Sequence, residues 1–241
     1  MPQLLVADLG RMEYAVALEL QRAVAKARIA GTIAEDVLLL MEHPPVVTLG
    51  RSSKRHYLHS SREELASRGI ELFEAERGGE VTFHGPGQLI GYPIIDLKRH
   101  EQDLHWYLRR VEEALILAVA PLGIVGERSV GQTGVWTNGR KLASIGVHAR
   151  DWVTWHGFAL NVTTDLSYFD VMVPCGIDGV AMTSVSAELK HRDAKAVVPN
   201  ELGAHVCQLA ADCFAEVFSL EAVPIDALAL ARLLTPALAQ R

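Results

Sequence analysis

The sequence predicts an α+β fold in which a mixed or antiparallel sheet is flanked by helices. Three segments carry apolar residues at helical spacing, and the short apolar runs between them are typical of strands. A β-rich stretch covers about 134–162, and within it Asn138-Gly139 separates two strand-like runs, a strong hairpin signal. Because helices and strands alternate irregularly around this hairpin, antiparallel pairs are expected rather than a regular βαβ series.

Each predicted helix has an apolar stripe that would face a core. The stripes consist of Val16, Leu20, Ala23 and Ala27, of Leu104, Leu108, Val111, Leu115 and Ala118, and of Leu202, Val206, Leu209, Cys213 and Val217. A short helix is expected at 62–68, where Gly69 ends it, and the tail after Pro224 would form another.

Strands are predicted at 4–7, 36–42, 70–73 and 89–97. Pro44-Pro45 ends the second, and the glycine-rich stretch 77–91 precedes the fourth and overlaps its start. The 241 residues suit a single domain, 1–241, and a change of composition near Pro199 predicts a smaller C-terminal unit from about residue 199.

Composition excludes several classes of function. The net charge of −6 argues against general nucleic-acid binding, which needs a basic face, although Arg51, Lys54, Arg55 and His56 form a local basic cluster. The N-terminus does not have the pattern of a signal peptide and the apolar runs are too short to cross a bilayer, so a cytosolic protein is expected. Three cysteines without a CxxC pattern argue against disulfides and structural zinc.

One of the three cysteines differs from the others. Cys213 lies on a helical stripe and Cys207 lies one place from it, so both are predicted to pack as small hydrophobes. Cys175 lies between Pro174 and Gly176, in a tight turn that can present a nucleophile to a cleft. The amides that follow Cys175 are expected to point at an oxyanion. The local sequence fits a packed loop cysteine equally well.

A cysteine nucleophile needs a neighbouring base or cation, because a free thiol is mostly protonated at neutral pH. The candidates are His84, His148, His156 and Lys141. With Asn138-Gly139 as the turn, Lys141 opposes Trp136, and strand alternation places Lys141 on the apolar face of Ala143, Ile145 and Val147. Partial desolvation there would lower the pKa of its amine. A lysine that extends to solvent from the start of a strand is the alternative.

The stretch 77–88 contains four glycines, which would let backbone approach a ligand closely, and it also contains Arg77 and His84. It is not a phosphate loop, because neither GxGxxG nor a following GK[ST] occurs. By itself such a stretch also fits an ordinary connection between strands.

The motifs taken in order resemble the octanoyl-[acyl-carrier-protein]:protein N-octanoyltransferase family of lipoate biosynthesis. The resemblance covers about residues 40–190. Its motifs are Glu42–Pro45 with Thr48–Gly50, Arg77–Gln88, Tyr92-Pro93, Gly134–Trp136, Lys141–Val147, His156–Val162 and Pro174–Ile177. Phe83 stands where the family usually has tyrosine, so any hydrogen bond from that hydroxyl is lost.

The resemblance implies a fold similar to the biotin and lipoate protein ligases, with Cys175 as the acyl-carrying nucleophile and Lys141 as its activating partner. It also implies an acyl-substrate pocket in three segments. Its residues are Arg77, Gly78, Gly79, Glu80, Val81, Thr82, Phe83, His84, Ser144, Ile145, Gly146, Gly157, Phe158 and Ala159.

The implied reaction transfers an octanoyl group to a lysine, without cofactor or metal. Octanoyl-acyl carrier protein would be the donor, and lipoyl domains of 2-oxoacid dehydrogenase complexes and the glycine cleavage H protein would be acceptors. The alternatives are an ATP-dependent lipoate–protein ligase of similar fold, a cysteine hydrolase with a histidine base, and a carrier-protein binding module without activity.

Overall fold

The computed structural model describes residues 1–177, 179–195 and 197–238. The strands in this part of the chain are β1 (Gln3–Arg11), β2 (Asp36–Glu42), β3 (Val46–Leu49), β4 (Glu71–Glu74), β5 (Val81–His84), β6 (Gln88–Ile94), β7 (Glu127–Ser129), β8 (Gln132–Thr137), β9 (Arg140–Arg150), β10 (Val153–Asn161) and β11 (Glu221–Pro224). The α-helices are α1 (Tyr14–Ile29), α2 (Arg62–Ser67), α3 (Leu104–Val119), α4 (Val185–Arg192), α5 (Leu202–Val217) and α6 (Ala227–Leu238).

Eight strands form one mixed sheet in the order β11-β1-β2-β6-β10-β9-β8-β7. β1 pairs in parallel with β11 and β2, whereas the remaining neighbours are antiparallel. The prediction of a mixed sheet flanked by helices is therefore confirmed.

Both faces of the large sheet are buried, so its central strands are continuously apolar. Leu38 and Leu40 of β2 belong to the core formed with α3 and α5, and the alternate residues Leu39 and Met41 belong to the core formed with α1 and α6. This explains why 36–42 reads as an unbroken hydrophobic run.

A second sheet in the order β4-β3-β5 has two strands, β3 and β5, that the sequence analysis did not predict. Each has four residues, too few for a periodic pattern, and the flanking prolines and glycines hide them. The glycine-rich stretch 77–88 is therefore not a simple loop. Its middle part is strand β5, which covers one side of the cavity described below.

The predicted hairpin forms as expected, with Thr137 opposite Arg140 and Trp136 opposite Lys141. Its next pair is Val135 with Ala143, so Leu142 is an extra residue in β9, a β-bulge.

The bulge changes the face on which Lys141 lies. Directly opposed residues share a face, so Trp136 and Gly134 of β8 place their partners Lys141 and Ser144 on the same side of the sheet. The predicted face, shared with Ala143 and Ile145, is therefore wrong. Consistent with the observed face, a Cβ built at Gly134 would lie 3.1 Å from Lys141 Cε.

The residues beyond 199 join the same core and sheet. Val206 and Phe214 of α5 pack in the core with α3, and β11 extends the large sheet beside β1. Within the described residues, no helix has both the length and the apolar composition needed to cross a membrane.

Candidate active site

A cavity of about 500 Å³ lies between the large sheet, the small sheet and the turn that carries Cys175. Both Cys175 and Lys141 line it. The other predicted site residues that line it are Arg77, Gly78, Gly79, Glu80, Val81, Thr82, His84, Ser144, Ile145, Gly146, Gly157, Phe158 and Ala159. The fold thus places residues 77–84 beside the neighbouring strands β9 and β10 and the turn that carries Cys175.

Phe83 is the one predicted pocket residue that is not among the lining residues. Its ring is fully buried in the core of the small sheet with Val47 and Leu65, and it stacks on Tyr168 at 4.6 Å. Alternation along β5 accounts for this position, because the neighbouring residues Thr82 and His84 face the cavity.

Cys175 occupies a single helical turn, Pro174–Gly176, in a left-handed backbone conformation with φ of 55°. Such a conformation is uncommon for cysteine and is held by the turn around it. The Cys175 Sγ lies 3.4 Å from Ser144 Oγ, within hydrogen-bond distance for sulfur. The sequence placed Ser144 in the pocket but gave no sign that it would contact the thiol.

The two backbone amides that follow Cys175 form hydrogen bonds within the turn. Gly176 N–H donates to the Val173 carbonyl at 3.0 Å, and Ile177 N–H donates to the Pro174 carbonyl at 3.1 Å. The expectation that the amides after Cys175 are free to bind an oxyanion is therefore wrong for these two.

Lys141 is buried, with 2% of its surface exposed. Its backbone N–H donates to Ala181 O at 2.8 Å and its carbonyl accepts from Thr183 N–H at 2.9 Å, which ties β9 to the segment that follows the cysteine turn. Its Nζ lies 4.7 Å from the centre of the Trp136 ring. Among the described residues no carboxylate forms an ion pair with Lys141.

Arg77 is also buried, and the absence of a side chain at Gly50 leaves room for its guanidinium. Its guanidinium donates to Thr48 O and Thr48 Oγ1 at 2.8 Å and to Gly78 O at 3.1 Å. A Cβ at Gly50 would lie 2.7 Å from Arg77 Nη1 and would collide with the Gly79 carbonyl. Only glycine permits this approach, which explains the pairing of the Thr48–Gly50 and Arg77–Gly79 motifs.

A directed series of hydrogen bonds runs from Thr48 to the Lys141 region. Thr48 Oγ1 already accepts from Arg77, so its own proton goes to His84 Nε2 at 3.3 Å. His84 Nδ1–H then donates to Gln88 Oε1 at 3.0 Å, and Gln88 Nε2 donates to Asn161 Oδ1 at 2.9 Å. Asn161 Nδ2 donates to the Thr183 carbonyl at 2.9 Å. The series fixes His84 as the neutral Nδ1–H tautomer.

The three histidines considered as bases are poorly suited to that role. Burial holds the pKa of His84 well below its usual value, and both its ring nitrogens are hydrogen-bonded. Burial lowers the pKa of His156 to about 3. His148 is not among the residues that line the cavity, and burial lowers its pKa as well. Lys141, the fourth candidate named from the sequence, lines the same cavity as Cys175.

The enclosed end of the cavity contains residues that the sequence analysis did not assign to the site, chiefly Tyr14 and Tyr92. Tyr14 lies in α1, and its ring stacks on His84 with centroids 6.0 Å apart. The Tyr92 hydroxyl is hydrogen-bonded to His43 Nε2 at 2.7 Å. No local pattern marks Tyr14, because a tyrosine at the start of a helix is ordinary, whereas Tyr92 lies within one of the quoted motifs.

The other two cysteines lie on α5 and pack against the core, as predicted. Burial raises the pKa of Cys207 to about 12 and raises that of Cys213, so neither is a reactive thiolate. In the described ranges, histidine, cysteine and carboxylate side chains form no group of three that could hold a metal ion.

Solved structures with the same fold include a putative lipoate protein ligase, Ta0514 from T. acidophilum, with a TM-score of 0.73. It is 15% identical, and the match covers 98% of this chain and 95% of that one. Lipoate-protein ligase A bound with ATP gives a TM-score of 0.69 at 14% identity, covering 100% of this chain and 95% of the other. At these identities the likeness shows the fold alone.

Sequence relatives define the family more closely. Residues 13–204 match the family model described as the lipoyl protein ligase A/B catalytic domain. An octanoyltransferase of Geobacter metallireducens is 52% identical over 186 residues, covering 77% of this chain and 84% of the relative. One of Solibacter usitatus is 46% identical over 224 residues, covering 93% and 97%. The chain therefore belongs to the octanoyltransferase family of acyltransferases, built on the lipoyl protein ligase A/B catalytic domain.

Proposed function

We propose that the chain transfers an octanoyl group from octanoyl-acyl carrier protein to a lysine of a lipoyl domain, through a thioester on Cys175. The observation that carries the proposal is that Cys175 and the buried Lys141 line one cavity, with Ser144 hydrogen-bonded to the thiol. A thioester donor is already activated, so the transfer requires neither ATP nor a metal ion.

In the first half-reaction the Cys175 thiolate attacks the donor carbonyl, and the carrier thiol leaves as the C–S bond breaks. In the second, the ε-amine of the acceptor lysine attacks the enzyme thioester, an amide bond forms, and Cys175 leaves as thiolate. Lys141 takes the thiol proton of Cys175 and passes it to the carrier sulfur as that group leaves. Lys141, again a free amine, then accepts the proton that the acceptor nitrogen loses, which restores the ammonium beside the Cys175 thiolate. The pocket residues predicted from the sequence, Phe83 apart, hold the acyl chain.

The acceptors proposed are the lipoyl domains of 2-oxoacid dehydrogenase complexes and the glycine cleavage H protein, and the reaction is assigned to the cytoplasm. The donor carrier is an acidic protein, so a basic surface near Cys175 would favour its approach. Arg51 and Lys54 are exposed and lie on a segment attached to the cavity wall. There, Arg51 N–H donates to the Arg77 carbonyl at 3.1 Å.

The segment that carries Arg51 and Lys54 continues to Tyr57, which contacts the chain just before Cys175. Val173 N–H donates to the Tyr57 carbonyl at 2.8 Å. Among the described residues neither Arg51 nor Lys54 forms an ion pair. The Arg55 side chain, which the sequence analysis included in this cluster, lies outside the described residues.

Charge reversal of this surface is expected to weaken donor binding. The double variant Arg51→Glu/Lys54→Glu should raise KM for octanoyl-acyl carrier protein about tenfold at low ionic strength, and added salt should reduce the difference. Lys26→Glu, on exposed α1 surface, is the matched control and should have no effect. An unchanged KM in the double variant would exclude this docking surface.

The intermediate itself can be tested by intact mass after mixing the protein with octanoyl-acyl carrier protein, without ATP. An octanoyl increment is expected in the wild type and in the Cys207→Ser and Cys213→Ser variants, and is expected to be absent in Cys175→Ser. Adding a lipoyl domain should move the increment to that domain. An increment that forms only with free acid and ATP would indicate a ligase, and release of free octanoate would indicate a hydrolase.

A further inference from the structure

The strand that carries Lys141 changes its neighbour close to that residue. β10 pairs with β9 only as far as Ala143. Beyond this point the segment 181–183, which follows the cysteine turn, takes the place of β10 and bridges to Lys141 in parallel. The hydrogen bonds to Ala181 O and from Thr183 N–H use both backbone polar groups of Lys141. The segment that leads away from the cysteine turn therefore holds the backbone of Lys141.

Glu188, on α4, links this segment to the start of β9, and it is buried, with 6% of its surface exposed. One carboxylate oxygen accepts from Thr183 Oγ1–H and from Arg140 Nε–H, and the other accepts from Arg140 Nη2–H and from Asn138 Nδ2–H. Both bonds from Arg140 are 2.9 Å long. Arg140 precedes Lys141 in β9 and Thr183 is hydrogen-bonded to Lys141, so one carboxylate fixes both of these neighbours.

Two further features keep the carboxylate and Thr183 in place. Burial alone would raise the pKa of Glu188, but hydrogen bonds, first of all from Arg140, outweigh this and hold it below its usual value. Glu188 is therefore ionised at neutral pH, and both its oxygens act as acceptors. On the opposite side, the Thr183 carbonyl is the last acceptor of the series that begins at Thr48 and Arg77. Two buried hydrogen-bond networks thus meet at Thr183.

We propose that Glu188 is a positioning residue, which sets the place of Lys141 relative to Cys175. It does so by holding the segment 181–183 against the start of β9. That segment begins six residues after Cys175, so its anchoring also limits where the cysteine turn can lie. Glu188 is not among the residues that line the cavity, so it acts through Lys141 and not on the substrate. The inference rests on the proposed role of Lys141 in the reaction.

The reaction is sensitive to such placement. Among the described residues the Lys141 ammonium has no carboxylate partner, so its position follows from the backbone and from the contact with the Trp136 ring. A misplacement of about 1 Å can cost about 10²-fold in rate. Glutamine at position 188 would put an NH₂ donor where a carboxylate oxygen now accepts. In either orientation of the amide, one of the two bonds from Arg140 is lost.

The test follows formation of the octanoyl adduct on Cys175 by intact mass over time, at several concentrations of octanoyl-acyl carrier protein. In Glu188→Gln the maximal rate should fall about 10²-fold. The donor concentration that gives half the maximal rate should change by less than about twofold, because Glu188 does not line the cavity. The final amount of adduct should equal that of the wild type. A merely structural defect would lower this amount instead, because unfolded chains form no adduct.

Asp36→Asn is the matched control. Asp36 is 1% exposed, is hydrogen-bonded to Arg28 and His100, and is not among the residues that line the cavity. Loss of this buried carboxylate should lower the melting temperature, as loss of Glu188 should, but leave the rate of adduct formation unchanged. A comparable loss of rate in Asp36→Asn would show that any weakened buried network slows the reaction, and would overturn the assignment of Glu188.

A double variant separates action through Lys141 from independent action. If Glu188 acts through Lys141, addition of Glu188→Gln to Lys141→Met should lower the rate by less than about twofold relative to Lys141→Met alone. A further loss of about 10²-fold in the Lys141→Met background would show that Glu188 acts independently, and would overturn the inference.

Arg140→Lys tests the same contact from its partly exposed side, and it carries the test if Glu188→Gln does not fold. Lysine keeps the charge but cannot form the two bonds of the guanidinium, so the rate should fall about fivefold. Wild-type rates in the folded variants of this contact, together with a slow Lys141→Met, would overturn the positioning role and leave the proposed function intact. A Lys141→Met variant that forms the adduct at the wild-type rate would instead contradict the proposed role of Lys141 itself.

Discussion

Replacement of Lys141 by methionine is expected to lower kcat/KM for octanoyl transfer by about 10²- to 10⁴-fold, the range contributed by a general acid–base group. Methionine keeps the aliphatic contact with Trp136 and removes the ammonium group. The fold should persist, because Lys141 forms no ion pair among the described residues and methionine is a volume-conserving apolar replacement. Steady-state rates and a thermal melt check both expectations, with Lys26→Met as the surface control.

A second substitution separates the two roles proposed for Lys141. Lys141→Arg keeps a positive charge near Cys175, but arginine does not release its proton at accessible pH. Acyl-enzyme formation should therefore survive better in Lys141→Arg than in Lys141→Met, while transfer to the acceptor amine should fail in both. Transfer by Lys141→Met at near wild-type rates would contradict the proposed role of this residue.

Acidification is expected to destabilise the fold well before the carboxylates protonate. Burial lowers the pKa of His156 to about 3, and it also lowers the pKa of His84 and of His43. In the unfolded chain a histidine has a pKa of about 6.5, so below that pH the unfolded state binds protons that the folded state excludes. The stabilisation is fully present above pH 6.5 and is lost as the pH falls toward the folded pKa.

For His156 the expected loss is about 2 kcal/mol of unfolding free energy between pH 7.5 and pH 5, and the other two histidines act in the same direction. Glu76 changes the unfolding free energy in a lower pH range. Burial raises its pKa, but hydrogen bonds, first of all from Arg22, outweigh this and leave it at about 2. The Glu76 contribution is lost only below about pH 4.5.

Urea unfolding at several pH values between 4.5 and 7.5 measures this effect. His156→Asn is the informative variant, because asparagine tolerates the left-handed backbone found there, with φ of 56°. The slope of unfolding free energy against pH should fall by about 1.4 kcal/mol per pH unit in this variant. His205→Asn, at an exposed position on α5, should leave the slope unchanged. Equal slopes in both variants would show that His156 is not buried in its neutral form.

The sequence by itself determined the fold class, the hairpin at Asn138-Gly139 and the three long helices. These follow from local rules, because hydrophobic period and turn chemistry act over a few residues. The packing of Cys207 and Cys213 followed from the same helical stripe.

The tertiary structure alone decided how the site is assembled. The bulge at Leu142 moves Lys141 onto the face of Ser144, and one extra residue in a strand cannot be read from alternation. The four-residue strands β3 and β5 form only because each finds a partner in the small sheet. Tyr14 reaches the cavity because α1 packs against the large sheet beside it. Long-range pairing, rather than local preference, brings these groups together, so only the folded chain shows the enclosed polar end of the site.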